Sequence, residues 1–112
     1  MLYVDFTAGD KAYKLRLNTR NTVLLEKSLG CNPIGIFDVK GESLPSITNM
    51  VNVLFASLQQ YHHGITLNDA YDIFDDYLAD GHTSADFVHI ILEVYRESGI
   101  IPKNIKETTE KN

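Results

Sequence analysis

The chain has 112 residues, 44% hydrophobic and 22% charged, the composition of one compact soluble domain with no room for a second and with core enough to fold without disulfide or metal. Its longest apolar run, Val53–Ala56, is far short of the roughly 20 residues of a membrane span; the start at Met1 has no basic n-region or apolar h-region, and the lone Cys31 cannot form an internal disulfide, so a cytosolic chain is expected. The net charge of −5 is uneven, because residues 64–97 carry Asp69, Asp72, Asp75, Asp76, Asp80, Asp86, Glu93 and Glu97 against Arg96 alone, which excludes a nucleic-acid-binding surface there.

Leu2, Val4 and Phe6 alternate with polar neighbours, as do Tyr13, Leu15 and Leu17, the period of half-buried strands. Gly9 in the intervening Ala8-Gly9-Asp10-Lys11 predicts a β-hairpin. A lone hairpin is marginal in water, so its apolar face must be covered by the helices downstream or its edge extended by another strand. Asn18 or Thr19 caps a helix to about Leu29, with Val23, Leu24 and Leu29 expected inward and Gly30 as its left-handed stop. Asn32-Pro33 opens a short helical turn through Phe37, with a strand over Ile36–Val39 as the alternative, and Gly41-Glu42-Ser43 reads as a loop.

The strongest helix is predicted from about Pro45 to His62, where Leu44, Ile47, Val51, Leu54, Phe55 and Leu58 recur at three- and four-residue spacing. Opposite that stripe lie Asn49, Asn52, Val53, Ala56 and Gln60, and no charged residue occurs between Glu42 and Asp69. Interface cores are depleted of charge, so these five residues form a candidate partner-binding face, and Glu at Val53 and Ala56 is expected to abolish binding while sparing the fold. The competing reading is a central helix buried on both sides, or amides that simply meet water. Thr66 and Asp69 form a capping box for a helix to about Asp80, with Leu67, Ala70, Tyr71, Phe74 and Leu78 inward and Asp69, Asp72, Asp76 and Asp80 as an acidic surface stripe. After Gly81, Thr83 or Ser84 caps a last helix that buries Phe87, Ile90, Ile91, Val94 and Tyr95 and stops at Gly99. The expected organisation is an α+β domain over residues 1–101, an N-terminal β-hairpin packed against about four helices, with a flexible tail over 102–112.

Motifs that carry chemistry fail on their spacing. An EF-hand loop with Gly81 at its sixth position would put Leu78 and Phe87 where oxygen ligands are required. His62, His63, His82 and His89 make no His-x-x-x-His pair, and the first two read as the polar, cation-favouring end of a helix. Cys31 comes after a helix C-terminus, the wrong pole to stabilise a thiolate, and reads as a packed or half-exposed thiol. The six tyrosines, mostly on apolar stripes, read as core residues with polar tips. No phosphate-binding loop, nucleophile elbow or carboxylate pair is present, so neither catalytic residues, a metal nor a cofactor is expected, and the chain reads as a non-enzyme.

The hairpin turning at Gly9-Asp10, the run Tyr13 to Arg20 entering a helix with Leu25-Glu26-Lys27, the long uncharged helix, the stretch Gly64 to Asp72 with Phe74-Asp75-Asp76-Tyr77 after it, and the close Ser98-Gly99-Ile100-Ile101 together resemble the tail assembly chaperones of long-tailed phages and prophages of Gram-positive bacteria. The resemblance spans residues 1–101 and contains no catalytic motif. It implies a factor that binds and solubilises the tape-measure protein, helps recruit tail-tube protein in the bacterial cytoplasm, and is absent from the mature virion. It also implies a longer, frameshifted product of the kind made in that family, and, because some relatives self-associate, it admits a homo-oligomer. The rival expectation from the residues is a small non-enzymatic adaptor acting through homo-oligomerisation.

Overall fold

A computed structural model describes residues 2–37 and 43–103. Strands β1 (Val4–Ala8) and β2 (Lys11–Leu15) pair antiparallel from Val4↔Leu15 to Ala8↔Lys11, around a tight turn in which Gly9 takes φ 62°, a left-handed conformation that glycine adopts without Cβ strain. Val4, Phe6, Ala8, Leu15 and Leu17 are buried, whereas Leu2, expected on the same face, lies beyond the pairing and is exposed. Helix α1 (Thr19–Leu29) is capped by the Asn18 side chain, which accepts from the Asn21 N–H at 2.8 Å, and stops at Gly30 with φ 75°. A short 3₁₀ helix, Pro33–Ile36, comes next with Asn32 as its cap and Pro33 at its start, as expected. The alternative strand is not formed at Ile36 and Phe37; its remaining positions, and Gly41-Glu42 of the expected loop, lie outside the described residues.

Helices α2 (Ile47–Leu58), α3 (Leu67–Ala79) and α4 (Ser84–Glu97) complete a hairpin-plus-helices α+β globule. Both α3 and α4 open with reciprocal capping boxes, Thr66 with Asp69 and Thr83 with Asp86. The Thr83 N–H at 2.8 Å is the main reason that the Asp86 carboxyl titrates below its ordinary range. Helix α2 is the centre of the fold: it packs against α1, α3, α4 and β2, while β1 lies on α3 and α4. Phe6, Phe74, Tyr77 and Phe87 meet where hairpin and helices join, with ring centroids 5.2–5.8 Å apart in the Phe6–Tyr77, Phe6–Phe87, Phe74–Phe87 and Tyr77–Phe87 pairs.

Beyond its pairing with β1, β2 and the two residues that follow it are tied to the helical layer. The Lys14 N–H donates to His62 Nε2, the Arg16 N–H to the Ser57 carbonyl and the Leu17 N–H to Ser98 Oγ, each at 2.9 Å. These acceptors satisfy donors that an exposed edge strand would leave to water or to another chain. His62 therefore works as a neutral acceptor, and burial, with Lys14 close by, lowers its pKa; it is not the dipole-bound cation that its place near a helix end suggested. The turn is held as well, because the Gly9 N–H donates to Asp80 Oδ2 at 2.8 Å. Among the described residues no helix is long and apolar enough to cross a membrane.

Candidate functional site

The rotational assignments of α1 and α3 change when the helices pack, and the start of α2 is more exposed than expected. In α1 only Leu25 is buried; Val23 and Leu24, expected inward, are 45% and 54% exposed. Successive helical residues are about 100° apart, so a run of three apolar residues spans too much of the circumference to face one core. In α3 the buried set is Ala70, Ile73, Phe74 and Tyr77, which leaves Leu67, Tyr71 and Leu78 as an exposed ridge. In α2, Leu44 just before the helix and Ile47 at its first turn are exposed, while Val51, Leu54 and Leu58 are buried as expected.

The expected partner face of α2 is largely inside the molecule. Val53 is 1% exposed and Ala56 5%, and Asn49, Asn52 and Gln60 are half-buried. The helix lacks charge because its own chain surrounds it, which is the competing reading of that face. Glu at Val53 or Ala56 would thus attack the fold before it attacked any partner. The face does contribute to a surface feature: Asn52, Ala56 and Gln60 line an open groove of about 440 Å³ between α1 and α2, while Asn49 and Val53 do not reach it.

Leu24 and Phe55 form the apolar walls of this groove, and Arg20, Asn21, Gln59 and His63 supply most of its polar rim. The Asn18 amide closes one end by donating to Gln60 Oε1 at 3.1 Å, and the Gln59 amide is spent on the Phe55 and Ile65 carbonyls at 3.0 Å. Asn52, also in the lining, gives its amide to the Thr48 carbonyl at 2.9 Å. No carboxylate lines the recess. A helix or extended segment with an apolar edge can lie along Leu24 and Phe55 while its polar atoms meet the amides.

Sequence reasoning missed Arg20, Leu24 and the groove role of Phe55. One signal was available: Arg20 and Ser28 occupy the same i±4 row as Leu24, and a row with polar residues above and below an apolar one faces the surface. The acidic stripe lies where expected, with Asp69, Asp72, Asp76 and Asp80 all exposed, but two members have structural duties, Asp69 in its capping box and Asp80 at the hairpin turn.

Elsewhere the titratable groups are dispersed or engaged. His82 stacks on Tyr77 with ring centroids 4.4 Å apart and lies 4.0 Å from Asp86. Cys31 is exposed rather than packed. Only Tyr77 and Tyr95 of the six tyrosines are buried; Tyr3 and Tyr61 meet edge-on at the surface, beneath the Lys14 ammonium. The Tyr95 hydroxyl donates to the Pro33 carbonyl at 2.9 Å, and burial pushes this phenol far above its ordinary pKa. Among the described residues no group of three or more His, Cys, Asp or Glu side chains could hold a metal ion.

Fold and groove together define a small α+β domain with a charge-poor, helix-lined recess on one side and an acidic helix face. The chain belongs to DUF6096, a family of unknown function whose family model matches residues 4–112. No curated protein and no solved structure matches it.

Proposed function

We propose that this protein is a tail assembly chaperone of a long-tailed phage or prophage. On this reading it binds the tape-measure protein in the bacterial cytoplasm, keeps that long helical chain soluble, helps recruit tail-tube subunits, and stays out of the finished virion. The observation that carries the reading, beyond the sequence resemblance, is the α1–α2 groove, whose Leu24 and Phe55 walls and amide rim suit an amphipathic segment. The contact surface moves accordingly from the α2 face opposite the core stripe to the groove, with Asn52, Ala56 and Gln60 as its floor and side. A non-enzymatic adaptor acting through its own association is the second reading, favoured by the exposed Leu67, Tyr71 and Leu78 ridge.

The test is co-expression with the long helical protein encoded downstream. Soluble client should rise and co-elute with the chaperone, and Leu24→Glu, which changes an exposed groove wall, should abolish co-elution while the variant stays folded. A well-folded wild-type chain that neither raises client solubility nor co-elutes with it refutes the proposal.

A further inference from the structure

The α1–α2 groove restricts its occupant more closely than an apolar edge alone requires. Both walls are helices, whose backbone groups are bonded along their own axes, so the groove offers no ladder to an extended chain. Three of the five side-chain amides in the lining already donate within the chain, Asn18 to Gln60, Asn52 to the Thr48 carbonyl and Gln59 to the Phe55 and Ile65 carbonyls, and too few remain to replace one. An extended segment seated on Leu24 and Phe55 would leave backbone groups unpaired where water is displaced, whereas a helix arrives with its backbone satisfied.

Charge narrows the choice further. Arg20 is the only Lys, Arg, Asp or Glu in the lining. Lys27 lies seven residues on, and taking successive residues about 100° apart, Arg20, Leu24 and Lys27 fall within roughly 60° around α1, the two cations about 10 Å apart along its axis. All three side chains are exposed, the cations lie on the side of Leu24 away from the buried Leu25, and neither cation forms an ion pair with a described residue. The wider surface sorts by sign in the same way. Residues 11–27 hold five Lys or Arg against Glu26 alone, while α3 holds Asp69, Asp72, Asp75 and Asp76 and no basic residue, so an acidic helix is drawn to α1 and repelled by α3.

We propose, on the reading that the groove holds the client, that its occupant is an amphipathic helix edged with acid. Apolar side chains at three- and four-residue spacing seat against Leu24, Phe55 and Ala56, and Asp or Glu residues seven apart on one flank pair with Arg20 and Lys27. Seven residues is about two turns in the partner as it is in α1, so a helix aligned with α1 meets both cations at once. The guanidinium can take a carboxylate bidentately and the ammonium cannot, so Arg20 supplies more of the preference.

Fluorescence anisotropy of labelled synthetic peptides with the full chain provides the test. One peptide of about 21 residues carries Leu at three- and four-residue spacing and Glu along the flank; a second carries Lys in place of those Glu, and a third is the Glu peptide with two central residues replaced by Pro, which breaks the helix. The Glu peptide should bind at least about tenfold more tightly than the Lys peptide in roughly 50 mM salt and less than about threefold more tightly in roughly 500 mM, and the Pro peptide should not bind. Arg20→Glu with Lys27→Glu, at two exposed positions and with the fold verified by circular dichroism, should reverse the preference. Equal binding of the Glu and Lys peptides, binding by neither, a Pro peptide that binds like its parent, or a preference that the swap leaves intact overturns the proposal. Self-association of the chain that the Glu peptide competes away overturns it too, by giving the groove to a second copy. A client rescued in co-expression while the peptides bind without regard to charge leaves the chaperone reading standing and removes the acid-edged helix; a Glu peptide that binds as stated beside a client that is not rescued does the reverse.

Discussion

Glu at Val53 separates a buried face from a binding face, and its cost can be worked from burial. Val53 is 1% exposed in the centre of α2, so the substitution removes an apolar side chain worth about 1.5–3 kcal/mol of burial. The new carboxyl must then either stay ionised in an apolar site, which costs several kcal/mol, or take up a proton. Holding a proton at pH 7 on a group with an ordinary pKa of about 4.3 costs about 1.4 kcal/mol for each unit, or about 3.7 kcal/mol. The sum, about 5–7 kcal/mol, is comparable with the whole stability of about 5–15 kcal/mol expected of such a domain. Val53→Glu should therefore be largely unfolded at pH 7. At pH 5 the protonation cost drops to about 1 kcal/mol, so the variant should recover part of its structure on acidification. Leu24→Glu, at a side chain 54% exposed, should change stability by no more than about 0.5 kcal/mol. Urea unfolding monitored by circular dichroism at both pH values measures all of this. A Val53→Glu chain with the wild-type midpoint at pH 7 would refute the burial argument and return the α2 face to the surface.

Tyr95→Phe removes the hydroxyl that donates to the buried Pro33 carbonyl and should cost about 1–3 kcal/mol, read as a lower urea midpoint with an unchanged slope. His62 makes stability depend on pH with a definite sign. Its folded pKa lies below the unfolded value of 6.5, so its contribution is complete above that value and is lost as pH falls through 6.5 and then through the folded pKa, where the unfolded chain binds the proton first. Subtracting the stability curve of His62→Gln from that of wild type between pH 8 and 5 isolates this term, which should amount to less than about 1 kcal/mol because the site is partly solvated; a difference that is flat with pH would refute it. Gly9→Ala forces a Cβ into a left-handed turn position whose nearest neighbour, Asp76 Oδ2 at 3.4 Å, is in ordinary contact, so the cost should be the backbone term alone, about 1–2 kcal/mol by thermal unfolding.

What the sequence made legible was local. Asn18, Asn32, Thr66 and Thr83 cap the elements they were expected to cap, because a cap is a bond between residues three apart. The Gly9 turn and the Gly30 stop obey the same short-range logic. Helix rotation was not legible where apolar residues outnumber the positions one face can bury. Helix α3 offers Leu67, Tyr71 and Leu78 as well as Ile73 and Tyr77, and the choice between them is made by Phe6 and Phe87 arriving from β1 and α4.

The candidate site was half legible for a related reason. Loss of charge along α2 is compatible with cover by another protein and with cover by the rest of the same chain, because both exclude water. Sequence distance decides between them poorly, since α1, which lies on the α2 face that includes Ala56 and Gln60, comes from well upstream in the chain. Burial within α2 follows helix face and not residue size. Ala56 and Ser57 are small, and both are buried. Phe55 beside them is large and only half-buried, and it forms a groove wall. Along this charge-free helix Met50, Leu54 and Leu58 are wholly covered by the same chain, whereas Phe55, in a row with Asn52 and Gln59, keeps part of its ring at the groove.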